Sequence, residues 1–210
     1  DNGTLYFPSL DHNLYAVNAE TGEQVWKLDL GGAAVSTPLL YDGKLYIGTF
    51  ARKILAISLD GQVVNSYETQ DWVWGTPVIS DGVLYSADLV GNVYALDVAN
   101  DLAVVWTRKV AERAIRATPI VAGDQLIVAS RDHFLYWLNK ADGSQSLDTE
   151  GQPLKRDVQG EILADVMLLQ PSATLNIPEP YILVSTLSTS GVLVAYTLER
   201  GQFVWTYGYS

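Results

Sequence analysis

Residues 16–26 read AVNAETGEQVW, and the same phrase returns as ALDVANDLAVVW at residues 95–106 and as AYTLERGQFVW at residues 195–205. Each copy runs from a small residue through a polar turn to a tryptophan. Short apolar segments fill the intervals, and the units recur about every 40 residues. A repeat of this length built from short strands is typical of a β-propeller, whose blades are small antiparallel sheets arranged around an axis.

Four strands, called A to D from the inside of a blade outward, are predicted in each complete unit. Strand A opens with a Thr-Pro pair in three units and, near Ile162, with an apolar run that lacks this pair. Asp-Gly or Gly-Asp pairs follow strand A, and these residue types supply the positive φ angles of tight hairpins. Strands B and C are rich in β-branched and aromatic residues, as in KLYIGTF and ILAISL. Their nearly continuous apolar character indicates sheets covered on both faces, as propeller blades are.

The predicted fold is all-β: a single β-propeller domain over residues 1–210, with about five blades of four antiparallel strands. The approximate blade bounds are residues 1–30, 34–69, 73–110, 115–157 and 161–210. The first blade lacks its innermost strand, because residues 4–9 already read as a strand B. Since unpaired strand edges can pair with another chain, the expectations include a fragment of a longer propeller and self-association through the incomplete first blade.

The composition excludes several classes of function. The formal net charge is -11 and the isoelectric point is near 4.4, so a nucleic-acid partner is not expected, because binding phosphates requires a basic surface. The chain has no cysteine, which excludes disulfides, thiolate metal sites and cysteine nucleophiles. Since no apolar run approaches the ~18 residues needed to cross a bilayer, membrane insertion of this segment is not expected either.

The first tryptophan phrase also carries a family resemblance. Ala16, Thr21, Gly22 and Trp26 resemble the tryptophan-docking motif of the pyrroloquinoline-quinone (PQQ)-like propeller repeat family. The resemblance covers nearly the whole chain and implies that three tryptophans are structural and pack between adjacent blades: Trp26, Trp106 and Trp205. The second blade has no tryptophan at this place, and the fourth carries Trp137 on its third strand instead, so docking at these two blades is left open.

The resemblance implies one of two functional branches. Quinoprotein dehydrogenases, the catalytic branch, have eight blades, a central PQQ, a bound calcium and often a vicinal disulfide. About five blades and no cysteine favour the non-catalytic branch, which is similar to the outer-membrane barrel-assembly lipoprotein. The implied function is a scaffold without cofactors that binds a protein or peptide in an extracytoplasmic compartment, periplasmic or at the cell surface. The alternatives are a partial quinoprotein that binds PQQ and calcium, and a structural unit that assembles through open sheet edges.

Candidate binding residues gather on one face of the predicted propeller. Because strands alternate in direction, the B–C turns and the linkers from strand D to the next strand A emerge together, and we call this side the linker face. Loops of repeat scaffolds commonly bind partners, and tryptophan and arginine are enriched at binding hot spots. The candidates on this face are Arg52, Trp72, Trp74, Arg113, Arg116, Arg131 and His133.

Each candidate also has a structural interpretation. The arginines either receive an acidic peptide or a carboxylate ligand, or they pair with neighbouring carboxylates, namely Glu112, Asp132 and Asp165. Of the two tryptophans we expect only one to be exposed, on the reasoning that they point to opposite sides, and we favour Trp72.

The histidines and the acidic turn sequence do not indicate catalysis or metal binding. His133 and its counterparts His12 and Arg52 occupy one column of B–C turns, which favours a role in the turn. No metal site is predicted in DGSQSLD at residues 142–148, because the calcium-loop glycine and glutamate positions hold Leu147 and Pro153.

Overall fold

The computed structural model describes residues 1–174 and 176–208. All the strands it describes lie in five antiparallel sheets, each with its strands side by side in chain order. Blade 1 holds β1 (Thr4–Pro8), β2 (Asn13–Asn18) and β3 (Gln24–Asp29). Blade 2 holds β4 (Leu39–Tyr41), β5 (Lys44–Thr49), β6 (Lys53–Ser58) and β7 (Val63–Glu68). Blade 3 holds β8 (Val78–Ser80), β9 (Val83–Ala87), β10 (Asn92–Asp97) and β11 (Ala103–Lys109).

The last two blades have the same four-strand order. Blade 4 holds β12 (Ile120–Ala122), β13 (Gln125–Ala129), β14 (Phe134–Asn139) and β15 (Lys155–Asp157). Blade 5 holds β16 (Met167–Leu169), β17 (Tyr181–Ser185), β18 (Leu193–Thr197) and β19 (Phe203–Tyr207). The predicted all-β architecture of about five blades, with a three-stranded first blade, is confirmed.

The register explains the spacing inside the tryptophan phrase. Ala16 lies opposite Trp26 on the neighbouring strand, and Ala95 lies opposite Trp106 in the same way. Directly opposed side chains share one face of a sheet, so the small alanine leaves room for the indole. A β-bulge follows each of these alanines. Bulges bend and twist a strand locally, and here they occur where the indole turns toward the next blade.

Packing between consecutive blades forms four separate apolar clusters. They join blade 1 to 2, blade 2 to 3, blade 3 to 4 and blade 4 to 5. Blades 2 to 4 are therefore covered on both faces, which accounts for their continuous apolar strands. Among the described residues no buried cluster joins blade 5 to blade 1, so the array is open.

The innermost strands bring equivalent residues of successive blades to the axis. Thr37, Thr76 and Thr118 stand two positions before the start of β4, β8 and β12. Asp165 takes the same position before β16 in blade 5. A ring of hydroxyls that ends in one carboxylate thus lies at the inner ends of four blades.

Candidate binding face

Left-handed backbone conformations build the B–C turns of the linker face. His12, Arg52 and His133 have φ angles of 73°, 59° and 79°, and Gly91 takes the equivalent place with 91°. A Cβ on Gly91 would lie 2.1 Å from the Ala111 carbonyl oxygen, so only glycine fits where this turn meets the next linker. The backbone of Arg52 and His133 therefore serves the turn.

Aspartates under three of these turns accept hydrogen bonds from tyrosines on strand C. Asp88 is fully buried and accepts the Tyr94 hydroxyl at 2.6 Å, together with the backbone N–H groups of Val90 and Asn92. Burial, and then the hydrogen bond to Asp88, raises the pKa of the Tyr94 hydroxyl above its ordinary value of 10.0. The equivalent bonds in blades 1 and 4 run from Tyr15 to Asp11 and from Tyr136 to Asp132. These bonds hold the linker face rigid.

Three aromatic rings and an arginine form a stack across blades 2 to 4. The Phe50 ring lies between Trp72 and Trp74, with centroid distances of 4.9 and 5.3 Å. The Arg116 guanidinium lies 4.3 Å from the centroid of the Trp74 ring, which is a cation–π contact. Trp72 is 46% exposed. We call these four residues the aromatic stack.

The orientation of the two tryptophans corrects the reasoning from the sequence. Trp72 and Trp74 are two residues apart on an extended linker, so their side chains share one side, and it is the fully buried Val73 that points the other way. The preference for an exposed Trp72 agrees with the structure, but the stated reason was wrong. Phe50, which stands between the two rings, was missed. Its place in the B–C turn two residues before Arg52 was the available signal.

Two of the predicted arginines share one carboxylate. Arg113 Nη1 lies 2.8 Å from Glu161 Oε1, and Arg131 Nη2 lies 2.6 Å from Glu161 Oε2. The Arg131 hydrogen bond is the main cause that lowers the pKa of the Glu161 carboxyl below its ordinary value of 4.5. These arginines were expected to pair with Glu112, Asp132 and Asp165; pairing occurs, but with Glu161. This residue lies on the linker to blade 5, so the pairs tie blades 4 and 5 together.

The carboxylates named in the prediction instead bind backbone groups. An oxygen of Asp132 accepts the Glu112 backbone N–H at 2.8 Å, and Asp165 Oδ1 accepts that of Thr118 at 2.6 Å. Arg116 is likewise turned toward the Trp74 ring, and its Nε is buried without a hydrogen-bond partner. The seven candidates therefore divide: Trp72, Trp74 and Arg116 meet in the stack, Arg113 and Arg131 meet at Glu161, and Arg52 and His133 lie in turns.

A polar pocket of about 230 Å³ opens at the axis beside the aromatic stack. Its lining includes the four axial residues, Trp74, Arg116 and the unpaired hydroxyl of Ser36. Calcium takes 6–8 oxygen ligands and is held mainly by carboxylates, whereas Asp165 is the only acidic residue in the described lining. No group of three or more His, Asp, Glu or Cys side chains with metal-binding proximity occurs in residues 1–174 and 176–208. The pocket does not fit the calcium-bound quinone of the catalytic branch.

Tryptophans join consecutive blades by one repeated arrangement. Trp26 Nε1 donates to the Leu59 carbonyl of blade 2 at 2.8 Å, and Trp106 Nε1 donates to the Lys140 carbonyl of blade 4 at 2.9 Å. The rings lie on Gly61 and Gly143, where an added Cβ would come within 2.8 and 2.6 Å of the indole. We call this arrangement, an indole on a left-handed glycine with a donated hydrogen bond, the inter-blade joint.

Trp137 makes the same joint from a different strand. It lies on β14, it is fully buried, and its Nε1 donates to the Leu198 carbonyl of blade 5 at 2.7 Å. An added Cβ on Gly201 would lie 2.9 Å from its ring. The strand C tryptophan of blade 4 thus does what the strand D tryptophans do in blades 1 and 3, which settles the question that the sequence left open.

The joint between blades 2 and 3 has a different composition. Asn65 stands where the other blades have tryptophan, and its Nδ2 donates to Asp101 Oδ1 at 2.9 Å. Leu102 stands in place of the glycine, because its N–H donates to the Asp97 carbonyl as that of Gly143 donates to Asn139. Leu102 is buried, 3% exposed, in the cluster between the two blades. A small donor and a large seat therefore replace a large donor and a small seat.

Comparison with known proteins was decisive for the family. A family model described as "Outer membrane protein assembly factor BamB" matches residues 1–72 and 53–210. The chain belongs to the BamB family. The resemblance to PQQ-like propeller repeats inferred from the tryptophan phrase is thereby confirmed.

BamB relatives cover part of the chain and are longer than it. The chain is 25% identical over 142 residues to the outer membrane protein assembly factor BamB of Salmonella typhimurium. It is 28% identical over 151 residues to that of Xanthomonas campestris. These matches cover 66% and 65% of this chain and 35% and 36% of the relatives, so the chain spans about a third of their length.

Solved structures support the propeller fold. The crystal structure of BamB from Moraxella catarrhalis matches with a TM-score of 0.74 at 21% identity, covering 99% of this chain and 62% of that one. The computationally designed Ika8 protein matches with a TM-score of 0.75 at 14% identity, covering 100% and 60%. Among the described residues no helix is long and apolar enough to cross a membrane.

Proposed function

We propose that the chain is a non-catalytic propeller scaffold that binds a protein or peptide through the linker face. The observation that carries the proposal is the aromatic stack. Its rings lie side by side on a rigid base, and Trp72 is almost half exposed. Rigid aromatic side chains offer a large contact area at a small entropic cost, and they dominate the binding energy of protein interfaces.

The surroundings of the stack support a protein partner over a small molecule. Apolar side chains of the B–C turns are exposed on the same face in blades 1, 3 and 5, with Leu10, Val90 and Leu187 among them. Together with Trp72 they spread apolar surface across the linker face instead of enclosing it. Exposed apolar patches of this kind mark sites of protein interaction.

Family membership supports the biological setting of the proposal. Relatives that share this family are named outer membrane protein assembly factors. We extend that role to this chain: it would work in an extracytoplasmic compartment and hold a protein that takes part in outer membrane assembly. Because the chain spans about a third of those relatives, the face defined here would be one part of the surface that a longer propeller offers.

Site-specific photo-crosslinking tests the binding face. A photoreactive phenylalanine analogue replaces Trp72 in one variant and Tyr41 in the control, and both are produced in the periplasm of Gram-negative cells. Tyr41 is a matched control because it is 39% exposed and lies next to the A–B hairpin, on the opposite face. We expect a discrete adduct with an outer membrane assembly protein from position 72 and none from position 41. Equal adducts from both positions, or none from position 72, would refute the proposal.

A second measurement separates binding from folding. Once the adduct is identified, Trp72→Ala should weaken binding of that purified partner about tenfold or more, the scale of an aromatic hot spot. The thermal melt should change little, since the side chain is half exposed. Tyr41→Ala should leave the affinity unchanged.

The proposal also includes the absence of a cofactor. The axial pocket supplies a single carboxylate, which suits neither PQQ with calcium nor calcium alone. Addition of PQQ and calcium should therefore leave the melting temperature of the chain unchanged, because a ligand that binds the native state raises it. A rise in melting temperature with both ligands would favour the quinoprotein alternative.

A further inference from the structure

Blade 5 presents the donor half of an inter-blade joint without a partner. Met167, Leu183, Ala195 and Trp205 lie opposite one another in one row across its four strands. Trp205 is 37% exposed, whereas Trp106, at the same place in blade 3, is 5% exposed beneath blade 4. Within the described part of the chain nothing accepts a hydrogen bond from the Trp205 indole.

Blade 1 presents the acceptor half of the same joint. Gly22 has a φ of 73°, and its N–H donates to the Asn18 carbonyl, as that of Gly143 donates to Asn139. A Cβ on Gly22 would have nothing within 4 Å, although equivalent glycines in blades 2, 4 and 5 lie against an indole. The Ala19 carbonyl, three residues before Gly22, corresponds to the Lys140 carbonyl three residues before Gly143.

The apolar surroundings of the two halves also match. Leu5 and Phe7 of β1 are 55% and 43% exposed on the free face of blade 1. Their counterparts in blade 2, Leu45 and Ile47, are buried against blade 1. Both ends of the array therefore expose the surfaces that every internal blade buries.

We propose that blade 5 of one copy of this chain docks against blade 1 of a second copy. Trp205 takes the role of Trp106, and Ala19 and Gly22 take the roles of Lys140 and Gly143. A second copy is the occupant because each copy carries both halves, at opposite ends of an open array, and the halves match the joints inside the chain. Such a contact is heterologous, so copies add head to tail. This inference does not depend on the function of the linker face.

The mass of the 210-residue chain in solution, measured by light scattering over a hundredfold dilution, tests the proposal. The wild type should grow beyond the 23.0 kDa monomer as concentration rises. Trp205→Ala should weaken association at least about thirtyfold, the scale of a tryptophan hot spot. Gly22→Ala should do the same, because the new methyl group would lie where the indole must sit. Gly43→Ala is the control: its φ of 69° imposes similar strain, and it also has open space around the Cβ.

Mixing the two variants distinguishes a broken joint from a misfolded chain. Trp205→Ala retains an intact Gly22, and Gly22→Ala retains an intact Trp205. Each should be monomeric alone, and an equimolar mixture should form a dimer that does not grow further. A wild type that stays monomeric at the highest concentration would overturn the proposal, as would assembly that survives Trp205→Ala. The second outcome would assign association to the unpaired strand edge of blade 1 instead.

Discussion

Replacement of Gly143 by alanine tests whether the inter-blade joint holds the fold together. Gly143 has a φ of 71°, and an added Cβ would lie 2.6 Å from Trp106 and 2.8 Å from the Arg108 side chain. An alanine in the left-handed region costs about 1 kcal/mol in itself. Forcing a methyl group into a filled contact adds about 1–3 kcal/mol, so Gly143→Ala should lower the free energy of unfolding by about 2–4 kcal/mol.

Gly43→Ala isolates the contribution of the joint. It carries a similar φ, 69°, with nothing within 4 Å of the new Cβ, so only the backbone cost of about 1 kcal/mol should remain. In thermal melts this corresponds to a fall of roughly 2–4 °C for Gly43→Ala and roughly 5–15 °C for Gly143→Ala. Urea titration should show the same order.

A background without the indole completes the test. In a Trp106→Ala chain the overlap is gone, and Gly143→Ala should then cost no more than the control. Equal costs of the two glycine replacements in the wild-type chain, or an extra cost at Gly143 that persists without Trp106, would refute the view that the ring and the glycine form one unit.

Three further predictions concern other contacts. Asn65→Trp should destabilise the chain because Leu102 fills the space an indole would need, and adding Leu102→Gly should recover about 1–3 kcal/mol, as a double-mutant cycle in urea would measure. Glu161 has a lowered pKa, so it stabilises the fold above pH 4.5 and less as pH falls; Glu161→Gln should lower the melting temperature at neutral pH, with the difference vanishing in acid. Tyr94 has a raised pKa, so it stabilises the fold below pH 10 and progressively less above it. Tyr94→Phe should make the alkaline fall in melting temperature shallower, and an unchanged slope would contradict the bond to Asp88.

The repeat made the fold predictable from the sequence, because propeller blades follow local signals. Turn residues such as Asp42 and Asp81 do adopt positive φ, and the strands lie where β-branched and aromatic residues alternate with these turns. The small residue and tryptophan of the repeated phrase also marked a paired position, Ala16 opposite Trp26. Such features depend on residues that are close in the chain.

Contacts between blades were less predictable, because they depend on side chains far apart in sequence. Arg131 was expected to pair with its neighbour Asp132, but Glu161, 30 residues away, accepts it across the gap to the next linker. Trp137 reaches the usual carbonyl from strand C, which a motif confined to strand D does not reveal. Phe50 entered the aromatic stack for the same reason, because Trp72 and Trp74 come from another blade.

The exchanged joint between blades 2 and 3 gives the chain a way to keep its blades in order. Repeats of similar sequence risk pairing with the wrong neighbour during folding. A tryptophan from blade 1 or blade 4 finds no seat on blade 3, because Leu102 occupies it, and Asn65 leaves a glycine seat on any other blade unfilled. Blades 2 and 3 therefore recognise each other alone, and a single mismatched pair is enough to set the count for the whole array.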